Sequence, residues 1–162
     1  MLSGVSHTMI FRALIIAAAA LVAPTAALAQ PIELKSEIFV ERLQAQTDGS
    51  EATVLVPADR VVPGDRLRFV ISYANPSDQQ ASNFIITNPI PASIAYLGAD
   101  GPATVTVSVD GKTYGDLAEL VVREADGSER PAQTSDVTHV QWAFAAIEPQ
   151  SSGQVLYRGE LK

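Results

Sequence analysis

Apolar and polar residues alternate in run after run along this chain, and no other feature limits its fold so tightly. Ile32, Leu34, Ile38 and Val40 alternate with Glu33, Lys35, Glu37 and Glu41. Leu67, Phe69, Ile71 and Tyr73 alternate with Arg66, Arg68, Val70 and Ser72, and Val105, Val107 and Val109 with Thr104, Thr106 and Ser108. Val140, Trp142 and Phe144 alternate with His139, Gln141 and Ala143, and Val155, Tyr157 and Leu161 with Leu156, Arg158 and Glu160. A period of two sends one set of side chains to one face of an extended backbone, so each run reads as a strand with one buried face. Shorter apolar pieces at 54–56, 84–87 and 120–122 complete the set. Only 117–124 could pass for a helix, and its adjacent Val121 and Val122 favour a strand.

Turn chemistry punctuates these runs. "VPGD" at 62–65, "NPSD" at 75–78 and the Asp-Gly pairs at 110–111 and 126–127 all fall between apolar segments. Asp110-Gly111 lies between Val109 and Thr113, where a two-residue type I′ turn is expected to close a hairpin. About eight short strands with turns every ten residues or so predict an antiparallel sandwich. No repeat or low-complexity linker interrupts residues 30–162, which therefore form one domain.

The N-terminus predicts export. Arg12 precedes an unbroken apolar run at 13–23, Pro24 ends it, and Ala27-Leu28-Ala29 precedes Gln30. A basic start, a short apolar stretch and an A-x-A site describe a secretory signal peptide over residues 1–29, cleaved between Ala29 and Gln30, with Met1 or Met9 as the start. A spanning helix needs about 20 apolar residues, so this run is too short to anchor the mature form. All 18 acidic residues lie beyond the signal, and the net charge of −7 becomes one unit more negative once Arg12 is removed. Such a chain repels nucleic acid and anionic membranes, and its net charge alone favours a basic partner and a salt-sensitive association. With no cysteine there are no disulfides, thiol nucleophiles or thiolate metal sites.

The stretch "VVPGDRLRFVISYANPSDQQASNFIITNPIPASIAYL" resembles the bacterial conserved-repeat family known as domain of unknown function 11. The matching residues are Pro63, Gly64 and Asp65 at a turn, Tyr73 and Asn75 at the end of the next strand, and 85–91 leading into a proline corner. "VTHVQWAFAAIEPQSSGQVLYRGELK" is similar to that family's closing tryptophan strand and final strand. The resemblance spans roughly residues 33–162. It differs at Asn88, where the family has an aspartate, at Gln150, where it has a glycine, and in a longer segment at 101–136. It implies an all-β, immunoglobulin-like antiparallel sandwich of about seven to nine strands, without implying an activity. Leu67, Phe69, Ile71, Tyr73, Trp142, Phe144 and Tyr157 are the expected core. Pro89 cannot donate to a ladder, so pairing is expected to stop near Asn88, with Pro91 stiffening an exit toward the opposite sheet.

Residues suited to catalysis are sparse. His139 is the one histidine beyond the signal, no serine sits in an elbow motif, and a serine–histidine–carboxylate constellation would need His139 beside both partners. Carboxylate pairs Asp126 with Glu129 and Asp48 with Glu51 lie in expected turns, where acids are solvated. Asp59, Asp65, Asp78 and Asp100 are oxygen donors that calcium could use between loops, without an EF-type spacing. No catalytic residue, cofactor or metal site is assigned. The chain reads as a non-catalytic module of the cell envelope or extracellular space, structural, adhesive or accessory to an assembly, that holds another protein or surface. A calcium- or small-ligand-binding sandwich is the alternative. Loops 57–65, 75–82 and 88–93 are the expected contact region.

Overall fold

The computed structural model describes residues 32–162, so the signal peptide and its cleavage point at Ala29 and Gln30 lie outside the described residues. The described chain is all-β: β1 (Glu33–Ala45), β2 (Glu51–Pro57), β3 (Arg66–Asn75), β4 (Ala81–Pro89), β5 (Ile94–Asp100), β6 (Thr104–Ser108), β7 (Val121–Arg123), β8 (Glu129–Pro131), β9 (His139–Ile147) and β10 (Ser151–Leu161). Every ladder is antiparallel. The strands form a five-stranded sheet ordered β2-β1-β3-β10-β5, a three-stranded sheet ordered β4-β9-β6, and a small β7-β8 ribbon. That ribbon takes the strand total past the expected number. β7 falls on the short apolar piece at 120–122, whereas β8, three residues long, is too short for alternation to reveal.

The two larger sheets face each other across one core. Tyr73 of β3 meets Phe144 of β9 edge-on, with ring centroids 4.8 Å apart, and Tyr157 of β10 lies tilted against Trp142 of β9 at 6.5 Å. Both are favourable aromatic geometries. Trp142 is fully buried, and its Nε1 donates to the Asp100 carbonyl at 3.2 Å, tying β9 to β5 in the opposite sheet. Leu67, Ile71, Tyr73, Phe144 and Tyr157 are buried with it, while Phe69 packs partly buried at the margin, stacked on Tyr157 at 4.3 Å.

The proline corner carries the chain from one sheet to the other. Pairing does not stop at Asn88: Pro89 remains opposite His139, and the Ile90 amide donates to the Thr138 carbonyl at 2.8 Å. Hydrogen-bonded pairs alternate along an antiparallel ladder, so with Ile90 bonded inward the nitrogen of Pro89 points to the free edge of β4, where a missing donor costs nothing. The Ile94 amide then closes a turn on the Pro91 carbonyl at 2.8 Å, and Ile94 and Tyr96 re-enter the core on β5.

Two other expectations are corrected, and a third, for 117–124, is met in part. Leu34 and Ile38 face the core side of β1, as their register with Tyr73 and Phe69 shows, yet they are about half exposed. Val40 on the same face of β1 is fully buried in the core, so the cover over this strand is partial. Asp110-Gly111 does not form a type I′ turn, which needs positive φ at both residues, because only Gly111 has one (+71°). Instead the Asp110 carboxylate gathers the amides of Lys112 and Thr113, each at 2.8 Å, and a single bridge joins Val107 to Gly115. Within 117–124 the chain makes a 3-10 turn at Leu117–Glu119 before extending as β7.

Candidate functional site

The site begins with a strand that outruns its neighbour. Up to Val40, β1 pairs with β3, but Glu41 to Ala45 pair only with β2. The β1–β2 ribbon therefore projects past the body of the sheet, closed by a turn in which Gly49 has φ +84°. The ribbon is held at its root by Asp65. The turn at 62–65 has Gly64 at φ +89° and the Asp65 amide on the Val62 carbonyl at 3.0 Å, the arrangement Pro-Gly favours. This aims the Asp65 carboxylate, itself buried, at the Arg42 guanidinium, which binds it through both terminal nitrogens, Nη2 at 3.0 Å. Asp65 also accepts the Val62 amide at 2.9 Å. Arg42 first, then that amide, hold its carboxyl below the usual carboxylate range.

Exposed apolar side chains stand on both faces of the ribbon. Val56 shows on the core-facing side at the root of the ribbon and Leu43 and Leu55 on the outer side, Leu43 at 70% exposure, while Leu34 and Ile38 are exposed farther back on β1, where it pairs with β3. With Val61 and Val62 in the following loop, seven of the ten exposed large apolar side chains among the described residues fall between 34 and 62. Depressions of about 280 and 240 Å³ run along the outer side, sharing Glu41 and Arg66 and reaching from Leu43 to Leu97 and Arg158.

The expected contact loops are not brought together. Loops 57–65 and 88–93 meet at one end beside the C-terminus, through Gly64 N to Leu161 O at 2.7 Å and Lys162 N to Ser93 O at 2.9 Å. Loop 75–82 lies at the other end, where Gln150 N reaches Ser77 O at 3.2 Å. There Asn75, fully buried, donates to the carbonyls of Gln79 (2.8 Å), Ile147 (3.2 Å) and Glu148 (3.1 Å) and accepts from Ser77. Asn75 thus fixes the end of β3 to the loop after β9, a structural task that satisfies buried carbonyls. Asn88 reaches back to the Tyr157 hydroxyl at 3.2 Å.

His139 does have a serine and an aspartate close by, with hydrogen bonds arranged for a turn. Ser108, its register partner, is fully buried and donates to Asp110 at 2.9 Å while accepting the Gly111 amide at 2.9 Å. His139 Nδ1 shares its hydrogen bond with Thr138 Oγ1 at 3.0 Å, and Gly111 packs over the ring. Of the four possible calcium ligands, Asp65 is taken by Arg42, and among the described residues no three acidic or histidine side chains converge on a metal-sized site. Sequence reasoning missed the ribbon, because alternation on β1 says which residues share a face and not whether anything covers it.

No family model, no curated protein and no solved structure matches this chain.

Proposed function

We propose that the chain is an exported, non-catalytic module of the cell envelope or extracellular space that acts by holding another macromolecule on its β1–β2 ribbon. The observation that carries this reading is the exposure of Leu43, Leu55 and Val56 on the projecting ribbon, with Val61 and Val62 in the loop that follows it. Large apolar side chains exposed close together on one projecting element of a folded domain mark a place of contact. Two antiparallel sheets facing across one core are consistent with an immunoglobulin-like sandwich, a rigid frame that presents such a ribbon at its edge. The roles of Pro63, Gly64 and Asp65 in the turn and of Asn75 at the end of β3 support the likeness to the conserved-repeat family. The sequence at 12–30 supports export.

Chemical crosslinking in the native envelope, read by mass spectrometry, tests this reading. Discrete adducts on the ribbon are expected. Absence of any adduct, together with hydrolysis of a generic ester, glycoside or peptide that His139→Ala abolishes, would overturn it.

A further inference from the structure

The outer face of the five-stranded sheet carries a charge pattern that sheet stability does not explain. Arg68 on β3 and Arg158 on β10 are register partners on that face, and Arg66 lies two residues along β3. Like charges directly opposite each other destabilise a ladder, and this chain carries more acids than bases. One carboxylate answers the cluster: Glu41 accepts from Arg68 Nε at 3.1 Å and Nη2 at 2.7 Å. Arg66 and Arg158 form no ion pair among the described residues, although Glu160 stands opposite Arg66 in register. As diagonal neighbours they are about 7–8 Å apart at the backbone, a spacing that two carboxylates of an extended chain can span.

A second observation places apolar surface beside these arginines. The β5–β10 ladder slips between Arg158 and Gly159, so that Leu97 is left over on β5 with Gly98 at φ +131°. A bulge re-aims a side chain. Leu97 is exposed and lines the depression with Glu41, Arg66 and Arg158.

Resting on the interaction reading above, we propose that this trough takes an extended acidic segment of another polypeptide, its carboxylates on Arg66 and Arg158 and its apolar side chains on Leu97 and Leu43. Guanidinium groups suit this because they bind carboxylates in a two-pronged fashion. Leucines interleaved with the arginines favour a polypeptide over an acidic polysaccharide, which has no apolar side chains to cover them. The arginine cluster decides the partner's charge at the surface itself, because the chain's overall negative charge is screened within about 10 Å.

The test uses the whole mature chain and a synthetic peptide of glutamates interspersed with leucines, followed through the arginine Nε–H signals in NMR. The signals of Arg66 and Arg158 are expected to shift together, and binding to weaken as salt rises. The double variant Arg66→Glu, Arg158→Glu should bind at least about tenfold more weakly while keeping native tryptophan fluorescence. Unchanged affinity in that variant, or shifts confined to Arg123 and Arg130, would overturn the proposal. So would equal competition by alginate. If the peptide leaves the arginines untouched while ribbon crosslinks still capture a macromolecule, the proposal fails and the interaction reading survives.

Discussion

The buried carboxylate of Asp65 is gripped by both terminal nitrogens of Arg42, one residue in the β2–β3 turn and the other on the free length of β1. This pair, with the Glu41–Arg68 ion pair beside it, fixes the root of the projecting ribbon to the body of the domain. Asp65→Asn or Arg42→Met is therefore expected to loosen the ribbon while leaving the core intact. Amide hydrogen exchange should quicken several-fold across 41–55, with tryptophan emission unchanged. Exchange that stays slow there would show that the ladder alone holds the ribbon.

Trp142 lies at the centre of the core, in contact with Tyr157 and bonded to the Asp100 carbonyl. Trp142→Ala is expected to cost about 3–5 kcal/mol. Against a total of about 5–15 kcal/mol for a domain, that removes a large share of the stability and all of it at the low end of the range. Its emission in the native protein should be blue-shifted and resistant to iodide quenching. An emission spectrum matching free tryptophan would contradict the sheet packing.

Gly159 sits buried on β10 where an added Cβ would run into Ile94 Cγ2. Gly159→Ala should destabilise by about 1–3 kcal/mol through overpacking. Adding Ile94→Ala should make the double variant less unstable than the two single losses together, because the clashing atom is gone. Strict additivity in urea unfolding would mean that the two residues do not meet.

The pH dependence has two limbs. Asp110 is held down to about 2 by the amides of Thr113 and Lys112 and by Ser108, and Asp136 to about 2 by Arg130 and the Gln133 amide. Their folded values lie below the ordinary 3.8, so their stabilisation is complete above that value and is lost as pH falls from about 4 toward 2. Burial pushes Tyr157 up to about 12 against an ordinary 10.0, so its contribution is complete below 10 and is lost as pH rises from 10 toward 12. Urea midpoints should be level between these limbs and fall at both ends. Midpoints that rise below pH 4 would contradict the carboxylate bonds.

Much of the fold was legible because period-two alternation and turn residues act locally. The runs around Phe69, Val107, Trp142 and Tyr157 became β3, β6, β9 and β10 with the expected faces inward. What was illegible depends on partners distant in sequence. Leu34 and Ile38 share a face with buried Val40 and are still half exposed, since cover depends on what the rest of the chain lays over each position. Arg66 and Arg158 read as ordinary polar positions until the β3–β10 register made them diagonal neighbours on one face. The bulge at Leu97 had one local sign, the adjacent Gly98, and Asp110-Gly111 looked like a hairpin turn because dipeptide chemistry does not say which carboxylate bonds will form.

The central claim, that the β1–β2 ribbon is the binding surface, is tested most directly by photocrosslinkers placed one at a time at Leu43, Leu55 and Val121 in the cell that makes the protein. All three side chains are exposed, and Val121 lies on the separate β7–β8 ribbon. Adducts to a discrete macromolecule from Leu43 and Leu55, and none from Val121, are the predicted result. Adducts from Val121 alone would contradict the account.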